Sequence, residues 1–166
     1  MIKEKDLIIS GVLRVAELMA IAAKTAPKAK GVDNIVVAVV TDREELEKLA
    51  SKMEELASQY GHFLARDAEN VRNSEAVVLI GAKVVDLGLK QPPGYGIDIN
   101  TYMALVNLGI AVGSAAKVAS MLNVDNRIML SIGIAAKELR LIDAEYILGI
   151  PLSAKAKNIY FDRIKK

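Results

Sequence analysis

Three lysines, Lys24, Lys28 and Lys30, cluster around Pro27. Ammonium groups beside a turn with free backbone amides can hold a phosphate, and the same cations also suit the negative pole of a preceding helix. Asn34, at the far end of that loop, suits either the polar edge of a ligand or the start of a strand. A second basic group, Lys155, Lys157 and Arg163, lies near the C-terminus. Tyr95 and Asp98 follow the irregular segment Gln91-Pro92-Pro93-Gly94 and offer a ring to stack on and a carboxylate to accept a proton. Arg127 falls where the first turn of a helix is expected, a place the helix dipole makes unfavourable for a cation. It therefore calls for a partner, either Asp67 or a ligand. His62 is the single histidine and has no second histidine at metal-ligand spacing, so it reads as structural.

Other chemistries lack their essential parts. With no cysteine there is no disulfide framework, thiolate zinc site or cysteine nucleophile. There is no Gly-x-Gly-x-x-Gly, P-loop or nucleophile elbow, so dinucleotide, nucleoside-triphosphate and hydrolase readings have nothing to stand on. The net charge is +2 with bases and acids interspersed, too weak a field to favour nucleic acid. The most apolar stretch, 102–116, is broken by Asn107 and closed by Lys117, so it is expected to be a buried helix and not a membrane span. The charged first residues do not read as a secretory signal, giving the expectation of a cytoplasmic protein.

The elements that would position these residues follow from periodicity. Ile8, Val12, Val15, Met19 and Ala22 recur at helical steps from Lys5 to about Thr25, and Pro27 ends that helix. Residues 35–40 and 76–80 are short β-branched runs expected as buried strands. Between them Leu46, Leu49, Met53, Leu56 and Tyr60 mark an amphipathic helix, opened by a Thr41–Glu44 capping box and stopped at Gly61. A short strand is expected near 62–65 and a long Ala/Gly-rich helix over 100–122. A further helix, capped by Asp125, should run to about Leu139, and a strand should cover 146–148. With no linker or repeat, residues 1–166 read as one domain of α+β class, a central mixed sheet flanked by helices.

Three stretches together resemble a known family. They are Lys24-Thr25-Ala26-Pro27-Lys28-Ala29-Lys30-Gly31-Val32-Asp33-Asn34, then 66–72 (Arg-Asp-Ala-Glu-Asn-Val-Arg) with 78–81 (Val-Leu-Ile-Gly), then 124–129 (Val-Asp-Asn-Arg-Ile-Met) with 149–153 (Gly-Ile-Pro-Leu-Ser). In this order they resemble a prokaryotic family of unknown function described as containing a ferredoxin domain. In that family the loop before the long helix carries a Cys-Gly-Tyr-Cys-Gly type segment; the matching residues here resemble Pro93-Gly94-Tyr95-Gly96-Ile97. Clusters of that kind are held by thiolates, so no iron–sulfur cluster carries over, and the Tyr95 loop reads equally as the relic of a lost metal site.

More distantly, the order of elements is similar to FMN-dependent nitroreductases. That similarity implies an Ala-Pro loop running past a flavin, a C-terminal phosphate contact at Lys155, Lys157 and Arg163, and a dimer joined through the long helices. Gly109 and Gly113, one turn apart, would permit such an approach. The arginine motif that grips the flavin phosphate in those enzymes has no match in Met1–Ser10. Two functions are therefore expected: a homodimer binding FMN or a related phosphorylated aromatic, with redox activity, or a non-catalytic dimeric binding or scaffold protein that has lost its cluster ligands. The first requires the basic groups from the two ends of the chain to converge on one pocket.

Overall fold

The computed structural model describes residues 1–162. Helix α1 (Glu4–Thr25) leads through a single 3₁₀ turn at Ala29–Gly31 into β1 (Ile35–Val40). Helices α2 (Arg43–Tyr60) and α3 (Phe63–Arg72) connect β1 to β2 (Ala76–Ala82). The Pro/Gly loop then precedes α4 (Ile99–Met121), followed by the short β3 (Asp125–Asn126), α5 (Leu130–Glu138) and β4 (Tyr146–Ser153).

The four strands lie in the order β1-β2-β4-β3, and every ladder among the described residues is antiparallel, where a mixed sheet was expected. Strand β2 is buried along its whole length because helices cover both faces of the sheet. Val78, Ile80 and Ala82 point to the side of α1 and α4, whereas Val77 and Leu79 point to that of α2, α3 and α5. This alternation divides the apolar interior into two cores on either side of one sheet.

Helix α4 buries Ala104, Asn107, Leu108, Ala111, Val112, Ala115 and Ala119. Its opposite face is apolar but exposed, carrying Tyr102, Leu105 and Ile110. With 23 residues it has the length and composition of a membrane span, a property shared with core helices, and its small-residue stripe packs here against α1 and the sheet. Two glycines set the separation of α5 from β4. A Cβ on Gly133 would lie 1.8 Å from the Ile147 carbonyl oxygen, and one on Gly149 would lie 2.1 Å from Ile132 Cγ2.

Several local expectations are corrected. Residues around 62–65 form the start of α3 and not a strand, with Leu64, Ala68 and Val71 buried at helical steps. Helix α2 is capped by Asp42, whose carboxylate accepts from the amides of Glu44 and Glu45, instead of by Thr41. Asp125 caps no helix; it pairs with Ser153 in the β3–β4 ladder, and α5 begins only at Leu130. Strand β4 continues through Pro151, opposite Val77. Gly149 exchanges hydrogen bonds with Met129, away from β2. By the strand's two-residue period the Pro151 nitrogen faces the same side, in the gap between that bridge and β3, so no ladder bond is lost.

Candidate functional site

The Ala-Pro loop lies at one end of the sheet, and its three lysines are bound to carbonyls. Lys24 Nζ donates to the Ile35 oxygen at 2.8 Å and pairs with Asp33 at 2.5 Å, which holds the Asp33 carboxyl below its usual range. Lys28 donates to the carbonyls of Lys24 and Ala26, closing the negative end of α1. Lys30, with φ 54°, sends its amine to the Leu87 oxygen at 2.9 Å. The local need for acceptors has therefore shaped this cluster.

Lys24 also serves β1 as an edge strand. The Asn34 carbonyl accepts from the Lys83 amide, so Ile35, Val37 and Val39 turn their peptide groups toward the open side. Lys24 covers the first of these carbonyls, and a lysine at an open edge discourages pairing with other chains.

Asn34 is buried and fully engaged. Its Nδ2 donates to the Lys83 oxygen at 2.7 Å, and its Oδ1 accepts from Asn107 Nδ2 at 3.0 Å. Asn107 Oδ1 accepts in turn from the Ala29 amide, which ties the loop to α4. Asn107 was visible in the sequence only as the polar break in an apolar run.

The opposite end of the sheet holds a cleft of about 710 Å³ between the start of α1, the end of β1, the start of β2 and the segment after β4. Its charged walls are Glu4, Lys5, Arg43, Glu75 and Lys155, with the Thr41 hydroxyl beside them and Ile8, Ile9 and Ala154 supplying apolar surface. Arg43 donates to the carbonyls of Arg72 and Ser74, and Lys155 to that of Asn73. Lys155 Nζ is 3.7 Å from Glu75 Oε1. The other oxygen, Glu75 Oε2, is buried with no hydrogen-bond partner among the described residues. Sequence reasoning found Lys155 but missed Lys5, Arg43 and Glu75, which are joined by topology alone. Lys157 is exposed and does not line the cleft, and Arg163 lies outside the described residues.

Among the described residues, the lysines of the two basic groups do not share a pocket within one chain. Lys24 lies beside the Ile35↔Ala82 end of the sheet and Lys155 beyond the Ala76↔Leu152 end. A six-residue strand at about 3.4 Å per residue separates them by roughly 20 Å. Within one chain, the Ala-Pro loop and Lys155 therefore lie at opposite ends of the sheet.

The remaining candidates have local partners. Asp98 caps α4, accepting from the Thr101 amide at 2.8 Å and its hydroxyl at 3.1 Å, so its carboxylate is committed to the helix start. Tyr95 packs edge-on against Tyr102 at 5.5 Å, within a loop that Gln91 ties to Ile97 and Ile99. Arg127 pairs with neither Asp67 nor a helix: it donates to the Tyr160 carbonyl and lies 5.1 Å over the Phe161 ring. Asp67 instead engages Arg66 and the Ser131 hydroxyl. His62 immediately precedes α3.

Comparison with known proteins gives the context for this arrangement. A family model described as "Uncharacterized protein containing a ferredoxin domain (DUF2148)" matches residues 98–163. An uncharacterized protein of Archaeoglobus fulgidus is 45% identical over 183 aligned positions, covering 100% of this chain and 99% of that one. The fold is similar to YcnD of Bacillus subtilis, a hypothetical oxidoreductase, with TM-score 0.61 and 16% identity over 87% of this chain. The chain spans only 58% of that protein's length. A nitroreductase with bound FMN from Desulfitobacterium hafniense gives TM-score 0.61 at 17% identity, covering 95% of this chain and 80% of the other. A BluB-like flavoprotein of Clostridium difficile gives 0.54 at 20%, covering 93% and 86%. The fold is thus nitroreductase-like, and on its full-length archaeal relative the chain belongs to the family of uncharacterized proteins described as containing a ferredoxin domain.

Proposed function

We propose that the chain acts as a homodimer binding FMN or a related phosphorylated aromatic between its subunits, with the phosphate in the cleft at the start of α1. The cleft is the observation that carries this reading. Lys5, Lys155 and the Thr41 hydroxyl supply cationic and hydroxyl donors suited to a phosphate, while Ile8, Ile9 and Ala154 offer apolar surface to the body of a ligand. The donor set therefore fits such a group. Bound flavin would supply the electron-accepting ring, and the protein would bind it, orient it and set its electrostatic surroundings.

The dimer brings in the second region. Because the Ala-Pro loop and the cleft lie at opposite ends of one sheet, a ligand touching both needs loop and cleft from different subunits. Helix α4 offers the face for this contact: Tyr102, Leu105 and Ile110 are exposed, and the space in front of Gly109 and Gly113 is open in the single chain. In such a dimer the backbone around Pro27 and Lys28 borders the aromatic part of the ligand.

Absorbance between 300 and 500 nm of freshly purified protein, followed by FMN fluorescence titration, tests the proposal. Bound or quenched flavin is expected, with a Kd that rises about tenfold in Lys155→Ala or Lys5→Ala, as for the loss of one charge-assisted contact. Colourless protein that leaves added FMN fluorescence unchanged would overturn it.

A second reading has its own support. Lys24, Lys28 and Lys30 all donate to backbone carbonyls, as they would in a non-catalytic dimeric binding or scaffold protein that lost its cluster ligands. A stable dimer that takes up no flavin would favour it.

A further inference from the structure

Helix α1 carries two stripes at helical spacing. Val12, Val15, Ala16, Met19 and Ala23 face the sheet and are buried. On the opposite side Leu7, Gly11, Arg14, Leu18, Ile21 and Thr25 recur at steps of four, three, four, three and four, the repeat of a seam between two helices. All six are exposed, Leu18 by 47% and Ile21 by 58%. A Cβ on Gly11 would meet nothing within 4 Å. Area decides what covers this stripe. Helices α1 and α4 lie side by side on the sheet, with 22 and 23 residues. One such helix, about 33 Å long and about 10 Å across, offers a face of roughly 330 Å², and the pair roughly 660 Å². A stable interface takes about 800 Å² from each partner. The face of α4 alone supplies less than half of that, and α1 beside it supplies most of the rest.

We propose that a second copy of the chain covers α1 as well as α4, with the two α1 helices antiparallel and Leu18 of each against the partner's Ile21. The orientation rests on the homodimer proposed above, though not on its ligand. Helix α1 runs from the cleft, where Glu4, Lys5 and Ile8 line the wall, to the Ala-Pro loop, so a partner whose loop meets this cleft presents its α1 reversed. The open glycines of α4 set the position. Helix α4 runs the other way, from the loop end toward β3, and the Ala29 amide on Asn107 sets it level with the end of α1. The midpoint of Gly109 and Gly113 lies four residues beyond Asn107, and the same distance back along α1 from Thr25 reaches Ile21. A two-fold axis there passes between Ile21 and Leu18, and in that register Arg14 faces the partner's Thr25. Crossing at Arg14 would instead set two guanidinium groups against each other. The same register brings the partner's Lys28, in its Ala-Pro loop, to the open space at Gly11, one turn from Ile8 in the cleft wall. The seam on α1 thus closes the cleft with the partner's loop.

The chain has no cysteine, so introduced ones report proximity without background. Two differently tagged full-length chains, Arg14→Cys and Thr25→Cys, are co-expressed and mildly oxidised. A disulfide joining the two tags is expected, since facing positions of a seam lie within its reach, whereas Arg14→Cys alone should give no cross-linked homodimer. Leu18→Glu, exposed in the single chain, should leave far-UV circular dichroism unchanged while raising the dimer Kd about a hundredfold by light scattering. A monomeric wild type, a dimer that tolerates Leu18→Glu, the absence of the mixed cross-link, or Arg14→Cys cross-linking to itself overturns the proposal. Should the mixed cross-link form while FMN stays unbound, the seam stands and the flavin reading falls. Should FMN bind to a dimer without that cross-link, the flavin reading stands and the seam falls.

Discussion

The Asn107 amide of α4 donates to Asn34 Oδ1 at the start of β1 across 3.0 Å, and both side chains are buried. Together with the Ala29 amide on Asn107 Oδ1 and Asn34 Nδ2 on the Lys83 carbonyl, this contact forms a chain in which each buried polar group is paired. Replacing Asn107 by leucine orphans the Ala29 amide and one oxygen of Asn34. At about 1–3 kcal/mol for each buried group left unpaired, a loss near 3 kcal/mol is expected. A urea midpoint that does not move would show that α4 does not hold the Ala-Pro loop in place.

Two helix glycines, Gly133 of α5 and Gly109 of α4, should respond to alanine with opposite signs. Gly133→Ala forces a methyl into the Ile147 carbonyl, so α5 must lift from β4; a cost of about 3 kcal/mol or more is expected. Gly109→Ala meets open space within the chain and improves helix propensity by up to about 1 kcal/mol. If α4 is the dimer face, the same methyl separates the subunits. Light scattering over a dilution series should find Gly109→Ala more monomeric than wild type while its monomer remains folded. Unchanged dimerisation would remove α4 from the interface.

Much of the fold was legible because α1, α2, β1 and β2 carry their period on one uninterrupted stretch of chain. The failures occurred where distant partners decide the structure. Leu64 and Ala65 form too short a run to reveal a period, and α3 is defined by packing against α2 and α5. Asp125 looked like a cap, yet its carboxylate accepts from Asn158 at 3.0 Å, thirty-three residues away. The expected strand stopped at 148, short of Pro151, whereas β4 runs to Ser153, because a sequence does not show which side of a ladder a proline nitrogen will face. The cleft was only partly legible for the same reason: Lys5, Arg43, Glu75 and Lys155 have no local spacing in common, and the sheet brings them together.

Lys24 separates an edge-protecting role from a ligand-binding one. In Lys24→Ala the Ile35 carbonyl loses its donor and the open side of β1 gains an unpaired acceptor beside Val37 and Val39. Faster aggregation on heating is expected, followed by turbidity, with phosphate binding at the far cleft unchanged. The Asp33 carboxyl, now without its cation, should titrate closer to 3.8. A carboxyl that keeps its depressed titration would show that Lys24 is not its partner in solution.

Tyr160 gives the fold an alkaline limit. Its ring is fully buried and its hydroxyl lies 2.8 Å from Ser74 Oγ, which in turn donates to the Asn70 carbonyl. Burial raises the phenol above its ordinary value of 10.0, with Ser74 opposing the shift and nearby Glu75 and Asp125 adding to it. A group whose folded pKa lies above its unfolded one contributes its stability fully below the unfolded value and loses it as pH rises toward the folded one. Unfolding free energy should therefore fall above pH 10.0 with a slope of up to about 1.4 kcal/mol per pH unit from this residue. Tyr160→Phe removes the ionisation and should flatten the decline by that amount, at a cost near neutral pH of about 1 kcal/mol for the lost hydrogen bond. Denaturant unfolding of both proteins between pH 8 and 11 measures the difference, in which the other titrating groups cancel. Equal slopes would mean that the phenol ionises in the folded protein as freely as in the unfolded chain, and that the segment after β4 is not anchored by Tyr160 at alkaline pH.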